Sequence, residues 1–201
     1  MGHRRTKAEL REMRRTALMA YNKQKFRNQL AEPGVFECAV VLDHLKAGFN
    51  VPKIFRSAQA MGAHEVHLIG IGPFDPSPAK GAFKHVPARF HDEFHSCYTD
   101  LSGRGYTLFT LEPDCGESLH DAELPEQSAF ILGHEEHGIS FNRADYPGVR
   151  CLRIPQYGRV ESMNVSVAAS IVLYEYARRH HRNELEYRAG HGAHHAYDVS
   201  D

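Results

Sequence analysis

Short apolar runs recur along the chain, separated by polar segments with helical periodicity. Residues 35–42, 65–70, 106–111, 128–133 and 149–154 form such runs, each bounded by turn-forming or charged residues, and they read as strands. Residues 86–90 make a weaker sixth candidate. Segments 51–61, 94–102 and 165–179 carry apolar positions at helical spacing. Nearly unbroken apolar strands alternating with helices predict an α/β fold, a mostly parallel sheet covered by helices on both faces. Ligands in such sheets sit beyond the carboxyl ends of the strands. Residues 6–28 contain no Pro or Gly and are rich in strong helix formers. Leu10, Met13, Ala17, Ala20 and Tyr21 recur there as one modest docking stripe, and Glu32-Pro33-Gly34 then breaks the helix.

Composition refines this organisation. The 201 residues are 42% hydrophobic and 24% charged, an ordinary globular balance for one domain of this length. The expected division is a basic helical extension over 1–32, a single α/β domain over 33–182, and a polar tail over 183–201. No apolar run reaches the roughly 18 residues of a membrane span, and the polar, basic start lacks a signal peptide's apolar region. A cytoplasmic protein without a membrane partner is expected. The four cysteines form no Cys-x-x-Cys pair and read as reduced thiols, with Cys38 and Cys151 in strand-like runs.

Charge changes the picture more. Residues 1–28 hold nine Lys/Arg and two acidic residues, a local balance of +7. The rest of the chain, 15 basic against 23 acidic, carries −8. A basic arm on an acidic body fits a polyanionic partner, with Arg4, Arg5, Arg11, Arg14, Arg15, Lys23, Lys25 and Arg27 as candidate nucleic-acid contacts; a solvated helix face is the plainer alternative. Two familiar nucleotide sites are excluded. Gly70 and Gly72 follow a strand, but Asp75 stands where a dinucleotide fingerprint needs its third glycine, and no phosphate-loop sequence occurs. The tail's His191, His194 and His195 lack a carboxylate or cysteine at fixed spacing, so no metal is expected.

Three segments carry candidate chemistry. In Asn50-Val51-Pro52-Lys53-Ile54-Phe55-Arg56, Pro52 suits a first helical turn and Asn50 is placed to cap it. Arg56 then falls among apolar neighbours, where its planar fork grips a phosphate or carboxylate or serves a structural ion pair. In Leu132-Gly133-His134-Glu135-Glu136-His137-Gly138 a strand enters a turn bounded by glycines, which permit close backbone approach to a ligand. Glu135 and Glu136 read as an arginine or acid/base site, or as a solvated charge pair. In Ile154-Pro155-Gln156-Tyr157-Gly158, followed by Ser162-Met163-Asn164-Val165-Ser166-Val167-Ala168, a strand ends, a loop follows and a helix begins with good capping residues. Its small first-turn residues allow close packing against another backbone; a plain core helix has the same periodicity.

In this order, over about residues 35–180, the three segments resemble the signature motifs of the SpoU/TrmH RNA methyltransferases, and Gly62-Ala63-His64-Glu65-Val66-His67 looks like the tRNA guanosine members. That resemblance implies a sheet closed by a deep C-terminal trefoil knot, S-adenosylmethionine bent within it, and a homodimer. It implies transfer of a methyl group to a ribose 2'-hydroxyl of structured RNA, tRNA before rRNA. It places the cofactor at Leu132, Gly133, Gly138, Ile154, Ser162 and Met163. It assigns the reaction to Arg56, Asn50, Glu135, Ser162 and Asn164, with Glu135 holding an arginine across the site or the dimer.

This chain departs from the pattern at four positions. Met163 replaces the usual Leu, His134 the usual Asn or Gln, Glu136 a frequent Gly, and Phe49 the common Gly or His before Asn50. An extra carboxylate at position 136 is expected to repel phosphate. The alternatives it leaves are a non-catalytic cofactor- and RNA-binding paralogue, or an enzyme methylating another RNA position.

Overall fold

The computed structural model describes residues 6–114 and 116–180. Arg4, Arg5 and the histidines of the tail lie outside the described residues. Helix α1 (Lys7–Asn28) is followed by β1 (Phe36–Asp43), α2 (Asn50–Ala60), β2 (Ala63–Ile69), β3 (Ala88–His91), α3 (Phe94–Gly103), β4 (Thr107–Leu111), β5 (Glu117–Ser118), β6 (Ser128–Leu132), β7 (Arg150–Arg153) and α4 (Val165–Arg179). The strands form one seven-stranded sheet in the order β3-β2-β1-β6-β4-β7-β5, and every strand pair in it is parallel. The predicted strands and helices all form, with ends shifted by a residue or two. The two-residue β5 was missed, being too short to carry a period.

The core divides as strand geometry requires, because successive side chains face opposite sides of a sheet. Cys38, Val40 and Leu42 of β1, with Phe130 and Leu132 of β6, face a large cluster that also holds residues of α2 and α4. Ala39, Val41, Ala129 and Ile131 face the other way, onto Phe94, Cys97 and Leu101 of α3. Both faces are thus packed, with Glu65 and His67 of β2 as buried polar exceptions.

α1 docks differently from expectation. Leu10 and Met13 remain 44% and 47% exposed, so the proposed stripe does not pack along its length. Only the C-terminal half attaches. Tyr21 enters a cluster with Phe74 and Phe83, at ring separations of 5.2 and 5.5 Å. Buried Asn28 donates to the carbonyls of Phe83 (2.5 Å) and Val86 (2.6 Å) and accepts from the Ala88 amide at 3.0 Å. At the far end, Thr6 and Glu9 form a reciprocal capping box. Among the described residues, no helix is long and apolar enough to cross a membrane.

The C-terminal third takes an unusual path. β7 slots between β4 and β5, although β5 precedes it by more than thirty residues. α4 then returns beneath β6 and alongside α2, where the Ser57 and Ser170 hydroxyls bond at 2.7 Å. The segment 119–127 closes over its end. Tyr176 Oη donates to the Glu126 carbonyl, and the Arg179 guanidinium donates to the carbonyls of Leu119, His120 and Ala122. The expectation of reduced thiols holds for Cys38 and Cys97 but not for Cys151, which is disulfide-bonded.

The Asn28 contacts make a stability prediction. Asn28→Ala leaves buried backbone groups without partners, at a cost of about 3 kcal/mol. Urea unfolding should show that loss as a lower midpoint with an unchanged slope.

Candidate functional site

A cleft of about 460 Å³ opens at the carboxyl ends of β4, β6 and β7. It is the position that a parallel sheet offers a ligand. Leu132, Gly133, Gly138, Ile154, Ser162 and Met163, all expected at a cofactor, line it together with Glu135 and Asn164. Residues 111–113, which follow β4, also form its wall, as do His134, Glu136 and Gln156.

The wall after β6 is a tight turn. His134 N–H donates to Gly138 O at 2.8 Å and Gly138 N–H donates to His134 O at 2.9 Å, closing it into a small loop. Gly138 has φ +71°, a left-handed conformation that favours glycine. Gly133 answers to space instead, since a Cβ there would lie 2.4 Å from the Gly138 carbonyl carbon. Just beyond the turn, Ser140 is tied to the end of β1. The Asp43 carboxylate accepts from Ser140 N–H at 2.6 Å and from Ser140 Oγ at 2.7 Å. Asp43 is fully buried, so this anchor is part of the core.

The three sequence segments meet through one string of hydrogen bonds. Asn164 is the cap of α4, its Oδ1 accepting from Ser166 N–H at 2.9 Å and Ser166 Oγ at 2.6 Å. Its Nδ2 donates to Asn50 Oδ1 at 3.2 Å, and Asn50 Nδ2 donates to Glu135 Oε1 at 2.8 Å. Asn50 therefore does not cap α2. It is the first helical residue, Phe49 takes the cap position without a side-chain bond, and the Asn50 amide is committed to the string.

Glu135 bonds to Asn50 and to the Lys46 amide at 3.4 Å, where sequence reasoning expected an arginine. Burial alone would raise its pKa, but the Asn50 amide and nearby backbone N–H groups outweigh burial and hold it below the usual carboxylate value. It is an ionised acceptor at neutral pH. Glu136 pairs with Lys46 Nζ at 2.5 Å, so the carboxylate expected to repel phosphate is neutralised within the chain. Lys46 was missed because it lies 90 residues from its partner, a separation no local pattern records.

Some expected residues stand apart. Arg56 is exposed on α2 and does not line the cleft. Among the described residues it has no hydrogen bond or ion pair. Arg11, Arg14, Arg15, Lys23, Lys25 and Arg27 are exposed along α1. Gln156, which sequence reasoning did not single out, has a buried Oε1 with no hydrogen-bond partner.

Comparison with known proteins agrees with this geometry. The SpoU rRNA Methylase family matches residues 37–174. A tRNA (guanosine(18)-2'-O)-methyltransferase of Thermus thermophilus is 28% identical, over 71% of this chain and 75% of that enzyme. A 23S rRNA (guanosine-2'-O-)-methyltransferase of Bordetella pertussis is 29% identical, over 70% of this chain and 59% of that protein's length. A solved structure described as giving insight into 2-OH methylation of C/U34 on tRNA superposes with a TM-score of 0.59 at 28% identity, covering 75% of this chain and 97% of that one. With its three motif segments joined at a single cleft and more than half its length matched, the chain belongs to the SpoU rRNA Methylase family.

Proposed function

We propose that the protein transfers a methyl group from S-adenosylmethionine to a ribose 2'-hydroxyl of structured RNA, with tRNA the first candidate and rRNA the second. The observation that carries this reading is the cleft itself, where all six expected cofactor residues converge. The residues present fit the cofactor. Gln156 Oε1 is a buried acceptor with nothing to accept, suited to an amino group, and the Gly133 turn brings main chain where a side chain would obstruct. When bound, the cofactor supplies an electrophilic sulfonium methyl group. Backbone around Leu132, Gly133, Ile154 and Met163 grips it, and the apolar wall of Leu111, Ile139, Val165 and Ala168 excludes water.

Arg56 acts on the other reactant. A 2'-hydroxyl is a weak nucleophile, and its oxygen gains negative charge as its proton leaves. The unpaired Arg56 guanidinium stabilises that charge; it stays protonated in proteins, so it serves as an electrostatic group and not a base. Asn50, Glu135 and Asn164 are positioning residues that hold the start of α2 against the cleft. Ser162, exposed on the rim, contacts the incoming ribose. The exposed cations of α1 grip the RNA backbone.

Two further features belong to this reading. The slotting of β7, with segment 119–127 closed over α4, supports the deep trefoil knot of the family. A second copy docks on the exposed Phe49, which precedes α2, and on the exposed Val167 and Tyr174, two turns apart on one face of α4. This homodimer brings two clefts and two basic helices to one RNA.

Three outcomes check the reading. Arg56→Ala should keep cofactor affinity, measured by calorimetry, while methyl transfer to total tRNA falls about 100-fold or more; unchanged turnover would remove Arg56 from the reaction. Gly133→Ala should weaken cofactor binding by about tenfold, roughly 1.4 kcal/mol, without abolishing RNA retention. Replacing Arg11, Arg14 and Arg15 together by Gln should weaken RNA binding and reduce its slope against log salt concentration by about 2 to 3.

A further inference from the structure

Outside the cleft, three Lewis-basic side chains from three elements converge. They are His67 on β2, His91 at the end of β3 and Cys97 on α3, and their ligand atoms all lie within 4.8 Å of one another. His67 and Cys97 are fully buried; His91 is half-buried at the sheet edge. His67 Nδ1 lies 2.9 Å from His91 Nε2 and 3.4 Å from Cys97 Sγ. None of the three lines the cleft.

The partners of these side chains decide where their protons sit. His67 Nε2 faces the buried Glu65 carboxylate at 3.0 Å, an acceptor, so that nitrogen carries the hydrogen. Glu65 is itself held by Arg89 Nε at 2.5 Å and by the Arg104 guanidinium. The Ser96 hydroxyl gives its one hydrogen to the Glu93 carbonyl at 2.9 Å, so its oxygen accepts from His91 Nδ1 at 3.2 Å. In the neutral form each imidazole thus turns a lone pair inward, and these two nitrogens face each other at 2.9 Å across rings only 4° from parallel. The Cys97 thiol has one hydrogen, which it offers to His67 and not to His91. A buried pair of facing lone pairs is unfavourable unless an electrophile lies between them.

We propose that His67 Nδ1, His91 Nε2 and Cys97 Sγ form a binding site for a divalent cation of the zinc class. Two imidazoles and a thiolate are a borderline-soft donor set that suits such an ion. Around tetrahedral zinc, donor atoms stand about 3.3–3.6 Å apart; the His67–Cys97 separation of 3.4 Å already fits, and the His67–His91 separation of 2.9 Å opens to that spacing by a shift of the edge residue His91. Glu65 and Ser96 serve as the outer partners that fix each ring's orientation, as carboxylates and hydroxyls do around zinc-bound histidines. On binding, the Cys97 thiol proton passes to solvent and the sulfur coordinates as thiolate. The half-exposed side of His91 leaves the fourth position to water. The ion would tie the edge strand β3 and helix α3 to β2.

Cobalt titration of the full-length chain, without reductant so that the Cys151 disulfide stays intact, tests this. The His134–His137 turn and the histidines of the sequence's last residues offer only nitrogen and oxygen, so a sulfur-to-cobalt charge-transfer band reports this site alone. The expected result is a saturable band at one cobalt per chain, displaced by zinc. Cys97→Ser should abolish the band, and His91→Asn should weaken it by at least about tenfold. Wild-type protein that shows folded circular dichroism and no such band, a shared proton being all the site holds, overturns the proposal. So does a band that survives Cys97→Ser. Should Cys97→Ser fail to fold, wild-type cobalt affinity in His91→Asn overturns it equally.

Discussion

The cleft depends on the hydrogen-bonded string from Asn164 through Asn50 to Glu135. These residues belong to the start of α4, the start of α2 and the turn after β6, which the chain brings together from positions as far as 114 residues apart. Each bond is modest alone, since a typical protein hydrogen bond contributes about 1 kcal/mol net. Their effect is geometric. Asn164 caps α4 with one side-chain atom and reaches Asn50 with the other, so the register of α4 also sets the position of α2. Arg56 rides on α2, a turn and a half beyond Asn50. A shift in the segment that carries Met163 would therefore move the Arg56 guanidinium.

The string is stable because its surroundings are rigid. Both faces of the sheet are packed, and the polar groups of the cleft gather at the strand ends. At those ends the segments are anchored individually: Ser140 to buried Asp43, and the end of α4 to the carbonyls of segment 119–127. The Arg179 guanidinium satisfies three carbonyls that would otherwise be left by an irregular segment packed against a helix. Tight crossings of chain leave backbone groups that cannot reach a ladder partner, and arginine, with five donors in a fixed fork, suits that task.

Much of this was legible from local pattern. Apolar runs marked six of the seven strands, because a fully buried parallel strand has no polar face to interrupt it. Glycine spacing and capping residues marked the turn at Gly133–Gly138 and the start of α4. What pattern could not give was pairing across long separations. Asn50 looked like a cap because its position before Pro52 is right for one; only the fold shows that tertiary bonds outcompete that role. Glu136 looked repulsive because Lys46, its partner, is 90 residues away. The stripe on α1 looked ready to dock, yet one aromatic residue and one amide secure the helix near its end, and its Arg-rich half projects from the body. Local propensity makes that half a helix, and the exposure of Arg11, Arg14 and Arg15 leaves its charge available.

The same limit explains the histidines. His67 and His91 lie 24 residues apart, a spacing that suggests nothing as ligands, and the tail, where histidines cluster in sequence, drew attention for metal instead of the β2–β3–α3 corner. His67 and His91 come together because parallel pairing places adjacent strands' equivalent ends side by side, and His91 pairs in register with Ile69, two residues past His67. Cys97 follows from α3 covering that edge. A donor set assembled by register needs no motif, and its signature is chemical: each ring has its outer nitrogen occupied by a partner that demands the hydrogen. Burial of Glu65 beneath two arginines makes sense on the same footing. The carboxylate accepts from His67, Arg89 and Arg104, and by accepting from the outer nitrogen of His67 it leaves the inner nitrogen free.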